Sequence, residues 1–314
     1  MPKRFYLGID MGGTHIKIAV VNSEGKILEE TMTDTDVEAK PLDIAVSIVE
    51  KARGLKHYSS VKSIGIGIAG DIDCFRGFVR FSPNLPKWKN VALKSIFEKL
   101  TGKNAFVDND ANTAAIGAFW LDAKAKPDSL VCVTLGTGVG GGLIFNKKLY
   151  RGASCTAGEI GHMTIDPSGL RCKCGNKGCA ETFIGAKYLS AYAKELLKNR
   201  KSEIINDLLS QNNSKLTPKL LYEAAAKGDK TAVEVWNYAG QKLGILLAGI
   251  INFVNPEVIV LCGGISRTGK FIIEPAKKEI EKRAFASASK VCKIIVSNYT
   301  QKLGVVGAAM LADQ

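Results

Sequence analysis

The chain opens on RFYLGID, residues 4–10, where apolar side chains crowd together up to Asp10. A run so short and so apolar predicts a buried strand. MGGT turns the chain, and HIKIAVV then alternates as a second strand does. NSEG, residues 22–25, reads as a turn, and KILEE begins a third strand. The spacing becomes helical over 41–55, PLDIAVSIVEKARGL, with Pro41 near the first turn. A strand over 63–70 (SIGIGIAG), a helix over 90–100 (NVALKSIFEKL), a strand over 104–109 (NAFVDN) and a helix over 110–121 (DANTAAIGAFWL) follow.

The second part begins in the same way. SLVCVTLG, 129–136, is a buried strand, TGVGG a glycine turn, and GLIFNKKLY more strand. The unit strand, glycine turn, strand thus occurs twice. From 184 to 253 the pattern is mostly helical. EVIVLCGGIS (257–266) reads as a strand entering a glycine turn, KFIIEPAKKEIEKRA as a helix, KIIVS as a strand and GVVGAAMLAD as a closing helix. Strands and helices interleaved in two halves predict an α/β fold.

Composition narrows this picture. A length of 314 residues suggests about two domains, and 46% hydrophobic with 23% charged residues is an ordinary globular profile. The longest apolar run, Leu243 to Val254, has 12 residues and contains an Asn, short of the ~18 a membrane span requires. The start carries a basic pair but no long apolar signal core. A cytoplasmic protein with no membrane partner is expected. The net charge of +13 is spread along the chain, as on a solvated lysine-rich surface that also attracts anionic ligands. A nucleic-acid partner would want a clustered patch with a reading helix, and none is expected.

Two segments match G-x-G-x-x-G: Gly65/Gly67/Gly70 and Gly136/Gly138/Gly141. A dinucleotide fingerprint needs its glycines between strand and helix. Here one match lies within a strand and the other runs into one. G-x-x-x-x-G-K-[ST] is absent. What remains is a hairpin type of phosphate grip, in which glycines let successive backbone N–H groups point inward at an anion. Asp10 would stand beside that nest, where a carboxylate is repelled by phosphates unless Mg2+ lies between. Thr14 can add a hydroxyl. LGIDMGGTHIKIAV and LGTGVGGGLIF resemble the two phosphate segments of the actin and hexokinase ATPase fold, and LCGGIS resembles its adenosine segment.

The chain has eight cysteines. Cys74, Cys132, Cys155, Cys262 and Cys292 are scattered and read as small buried hydrophobes, with no disulfide framework needed. Cys172, Cys174 and Cys179 cluster behind His162. Four borderline ligands in one short loop suit a tetrahedral, structural Zn2+ ion, and Gly175 and Gly178 let the chain curl around it. The spacing is not C-x-x-C, which weakens a redox reading. Unliganded buried cysteines are the bland alternative.

CKCGNKGCAE resembles the C-x-C-G-x-x-G-C-x-E motif of the ROK family of bacterial sugar kinases, repressors and uncharacterised open reading frames. GEIGH resembles the same family's upstream element, and DMGGT, NDAN and GTGVGGG extend the likeness over most of the chain. Asp71 stands where many members have proline, and His15 where lysine is common.

The resemblance implies a two-domain actin-like ATPase (ribonuclease H-like) fold with an interdomain cleft. The N-terminal α/β domain would span 1–115, joined by the C-terminal helix 302–314. The C-terminal α/β domain would span 116–301 and carry the zinc loop 158–183. The implied activity is an ATP-dependent hexose kinase acting on the 6-hydroxyl of glucose, with N-acetylmannosamine, N-acetylglucosamine, allose or fructose as other acceptors. Phosphoryl transfer needs positioning, charge neutralisation and a base for the hydroxyl proton. The resemblance makes Asp110 that base; from sequence alone it reads equally as a helix cap. Gly70, Asn84, Asn109, Asp110, Glu159, His162 and Glu181 match sugar positions. Asp10, Gly12, Gly13, Thr14, Lys17, Gly136, Thr137, Gly138, Gly263 and Gly264 would hold ATP with Mg2+. His162, Cys172, Cys174 and Cys179 would hold structural Zn2+, with His162 serving metal and sugar by its two ring nitrogens. A homodimer or homotetramer is implied. The rival from another class is a sugar-responsive ROK repressor, which carries a helix-turn-helix ahead of the DMGGT segment. Asp10 lies too near the start for one to fit.

Overall fold

The structure, a computed structural model, describes residues 4–211 and 215–313. Strand β1 (Phe5–Met11) pairs antiparallel with β2 (His15–Asn22), and β2 with β3 (Ile27–Asp34). β4 (Val61–Ile68) runs parallel to β1. β5 (Asp71–Asp73), β6 (Phe78–Phe81) and β7 (Lys89–Val91) form a small antiparallel sheet. β8 (Asn104–Asn109) lies parallel to β4 and closes a five-stranded sheet of order β3-β2-β1-β4-β8.

The later strands are β9 (Ser129–Leu135), β10 (Val139–Phe145), β11 (Lys148–Tyr150), β12 (Val258–Cys262) and β13 (Lys293–Val296). Their order is β11-β10-β9-β12-β13. Position for position this repeats the first sheet, so the sequence echo at the two glycine turns is a repeat of topology.

Helices α1 (Pro41–Arg53), α2 (Leu93–Thr101) and α3 (Asp110–Leu121) belong to the first part. α4 (Glu181–Ile184), α5 (Ala186–Leu197), α6 (Glu203–Gln211), α7 (Pro218–Ala226) and α8 (Lys230–Val254) follow the cysteine loop. α9 (Lys270–Arg283) and α10 (Ala286–Val291) precede β13, and α11 (Leu303–Leu311) ends the chain's regular structure. The helix expected over 90–100 starts only at Leu93, because Lys89–Val91 is a strand. The small sheet was not foreseen; strands of three or four residues are too short for alternation to register. Residues 1–3, 212–214 and 314, which fall in segments assigned above, lie outside the described residues.

By density of internal contacts the chain resolves into two units. One is Met1–Cys132 with Gly141–Gly158 and Ser297–Gln314; the other is Val133–Gly140 with Glu159–Val296. The core of the first unit gathers Leu7, Ile9, Ile16, Ile18, Ile64 and Ile66 from the strands with Ile48, Trp88 and Phe97. Fully burying each such side chain contributes about 1.5–3 kcal/mol. α11 is buried nearly all round and packs on β1, β4 and α3. A Cβ at Gly307 would stand 1.6 Å from the Thr113 carbonyl oxygen, so only glycine admits that approach.

Cys74 and Cys155 do not behave as the separate buried thiols expected. They form a disulfide across 81 residues of sequence, joining the chain just after β5 to the loop after β11. So distant a pairing leaves no local trace in the sequence. Among the described residues no helix is long and apolar enough to cross a membrane.

Candidate active site and metal centre

In the first unit the β1–β2 turn carries Gly12, Gly13 and Thr14. The Gly12 N–H donates to the His15 carbonyl (3.1 Å), and Thr35 Oγ1 donates to the Gly12 carbonyl (2.7 Å). Asp10 and Lys17 face each other in register across the two strands. Burial pushes the Asp10 carboxyl above its ordinary value, and Lys17 opposes that. Lys17 Nζ itself donates to the backbone and side-chain oxygens of Gln301, at 2.8 and 3.0 Å. Asn84 lies against the same turn, its side chain 3.3 Å from where a Gly13 Cβ would be.

β8 delivers Asp108 and Asn109 to the start of α3. Asn109 is the helix cap: its Oδ1 accepts from the Ala111 N–H (2.8 Å). Its Nδ2 donates to the Gly70 carbonyl (3.1 Å), which ties two expected sugar residues together. Asp110 is the first helical residue, at the positive end of the helix dipole. Asn109 thus holds the cap position, while Asp110 Oδ1 accepts from the same Ala111 N–H (3.0 Å). Asp108 is 1% exposed. Its carboxylate accepts from Arg151 Nε (2.7 Å), Asn112 Nδ2 (2.8 Å) and the Asn109 N–H (2.8 Å). A buried, bonded carboxylate of this kind holds the β8–α3 junction in one shape.

In the second unit the β9–β10 turn carries Gly136, Thr137 and Gly138. The Val139 N–H donates to Glu181 Oε2 (3.1 Å). A Cβ at Gly138 would stand 2.2 Å from that oxygen, so the turn accepts the carboxylate only because residue 138 has no side chain. Gly136 and Gly264 line a mostly apolar cavity of about 430 Å3, completed by Pro218, Lys219, Tyr222, Ile265 and Arg267. Gly263 leads into this segment with φ +94°.

Glu159 precedes and His162 ends a short 3-10 turn, Ile160–His162. His162 Nδ1 lies 3.6 Å from Cys172 Sγ, while Nε2 lies 3.9 Å from Glu159 Oε2. One ring nitrogen thus faces the thiols and the other faces a carboxylate. Cys174 and Cys179 sulfurs are 3.6 Å apart, and the four ligand atoms of His162, Cys172, Cys174 and Cys179 all lie within 4.8 Å of one another. Four-coordinate zinc, with metal–sulfur bonds of about 2.3 Å, sets its sulfurs about 3.8 Å apart, so the donor set fits. Burial and the neighbouring thiols push the Cys179 thiol up to about 12, while the Asn176 backbone N–H draws the Cys174 thiol below its ordinary value. Gly175 and Gly178 both have positive φ, +96° and +69°. They supply the curl that wraps the chain around the four ligand atoms.

Residues 6–314 match the family model described as the ROK family. The chain belongs to the ROK family. It is 34% identical over its whole length to a glucokinase of Thermotoga maritima, covering 99% of that protein. It superposes with a TM-score of 0.83 on a ROK family glucokinase of Streptomyces griseus, solved in complex with glucose and AMPPNP. That protein is 34% identical, with 99% of each chain covered. A xylose repressor of Caldicellulosiruptor bescii is 31% identical, with 98% of this chain matching 78% of that protein.

Within this ROK chain, sequence reading missed Arg151, whose partner Asp108 is 43 residues away. It also missed Lys219, Tyr222 and Arg267 of the cavity. They lie outside the glycine motifs, and Tyr222 looks like one more residue of an amphipathic helix.

Proposed function

We propose that this protein is an ATP-dependent hexose kinase that phosphorylates the 6-hydroxyl of glucose. The observation that carries the reading is a full-length likeness to glucokinases. The site geometry agrees with it: two glycine turns in topologically equivalent places, and an aspartate as the first residue of α3 beside the asparagine in the cap position.

In this mechanism Asp110 takes the proton of the 6-hydroxyl as its oxygen bonds to the γ-phosphorus. The bond to the leaving ADP oxygen breaks in line, so atoms and charge balance as sugar phosphate plus ADP. Asn109, locked between Gly70 and the helix start, would orient the sugar with Asn84, Glu159, His162 and Glu181. The turns Gly12–Thr14 and Gly136–Gly138 would offer backbone N–H groups to the phosphates, and the cavity by Gly264 would take the adenosine. Asp10 would hold Mg2+, which when bound neutralises phosphate charge; Lys17 would contribute from across the strand pair. Zn2+ on His162, Cys172, Cys174 and Cys179 would fix the ring of His162 and brace its loop. The two-domain division and interdomain cleft expected from the sequence belong to the same proposal, as do a cytoplasmic location and a homodimer or homotetramer.

The test is ADP release over a panel of glucose, N-acetylglucosamine, N-acetylmannosamine, allose and fructose. Glucose should give the highest kcat/KM. Turnover with none of them, alongside retained sugar binding, would favour a regulator over a kinase.

A further inference from the structure

Lys242 lies within α8, far in sequence from every motif above. Its side chain is only 16% exposed, and its Nζ donates to Asp166 Oδ2 (2.9 Å). The same ammonium stands 4.5 Å from the centre of the Phe183 ring and 5.6 Å from that of Tyr238. A desolvated ammonium needs such partners: the carboxylate compensates its charge and the ring faces attract it.

What Lys242 holds is the closure of the cysteine loop. The Gly178 carbonyl accepts from the Asp166 N–H (3.4 Å), and a Cβ on Gly178 would reach within 1.6 Å of the Asp166 carbonyl oxygen. Asp166 therefore sits on the strand of chain leaving His162 and directly against the residue before Cys179. Phe183 follows Glu181 by two residues and packs its ring edge where a Gly169 Cβ would be. One ammonium thus grips the incoming limb of the loop through Asp166 and the outgoing limb through Phe183.

We propose that Lys242 and Asp166 form a tether that positions the cysteine loop, and with it His162 and Glu181, for metal retention and sugar binding. This deepens the kinase reading and rests on its metal and sugar assignments. The tether needs no ion for its own geometry, so it orders the loop before metal binds. Its partners are Asp166, Phe183 and Tyr238 of the same unit, so its loss should weaken binding and leave the chemical step.

The experiment uses the full zinc-loaded chain and follows metal transfer to a chromophoric chelator, with glucose KM and kcat measured on the same samples. Lys242→Met and Asp166→Asn should each release zinc faster and raise KM for glucose by about tenfold, the usual effect of disturbing a ligand's supporting partner. Their kcat should stay near that of the wild type, as when binding common to ground and transition states is removed. Lys242→Arg, which keeps charge and ring contact, should restore most of both. Wild-type release rate and KM in the two disrupting variants would overturn the tether. A wild-type protein without stoichiometric zinc would instead overturn the metal assignment beneath it. If Lys242→Met does not fold, the near-isosteric Asp166→Asn carries the test alone.

Discussion

Asp110 and Asn109 divide two tasks that a sequence cannot separate. Aspartate and asparagine are both good caps, and adjacent residues before a helix compete for that position. The structure gives the cap position to Asn109, and Asp110 follows as the first residue of the helix. The candidate metal ligands were legible for the opposite reason: all four lie between residues 162 and 179, so spacing alone brings them together. Arg151 and Lys242 were not legible, because their partners lie 43 and 76 residues away. The second pair has a pH signature. Lys242 holds the Asp166 carboxyl down to about 2 from an ordinary 3.8. A depressed carboxyl contributes stability above its unfolded value and loses it as pH falls toward its folded value. The difference in melting temperature between wild type and Asp166→Asn should therefore be constant from pH 5 to 8. It should shrink only as pH falls through 3.8 toward about 2. A gap that instead changes around pH 6 to 7 would assign the effect to another group.

Elements were read well where apolar runs were long and poorly where contacts alone define them. The strands on either side of both glycine turns follow from periodicity, whereas the β5–β7 sheet is too short to be seen. α11 shows what periodicity omits: LGVVGAAML is apolar all round, which predicts burial but not its neighbours. Gly307 is what lets α3 come close. Gly307→Ala, whose Cβ would meet the Thr113 carbonyl at 1.6 Å, should cost at least about 1–3 kcal/mol by overpacking. Urea unfolding would show this, and a neutral result would mean the two helices separate freely. The Cys74–Cys155 bridge ties the small sheet to the loop that leads to Glu159. Cys155→Ser should lower stability by about 2–4 kcal/mol in oxidising buffer and by little in reducing buffer. Equal stability in both buffers would show that the bridge does not form in solution.

At the scale of the whole molecule, one topology occurs twice, as β3-β2-β1-β4-β8 and β11-β10-β9-β12-β13. Each copy has a glycine turn between its first two chain-order strands. The repeat explains why two weak motifs carry more weight together than either does alone. Each unit holds part of the candidate residues, with Asp10, Asn109 and Asp110 in one and Gly138, Glu181 and the cysteine loop in the other. The net charge of +13 stays general: it suits polyphosphate substrates without selecting one. The central claim is that Asp110 moves the proton in sugar phosphorylation. Its most direct test is Asp110→Asn, with ADP release and calorimetric glucose binding measured on the same preparation. The kcat should fall by about 10²–10⁴-fold, the range for a lost general base, with glucose binding still measurable. Turnover close to the wild-type rate would contradict the claim.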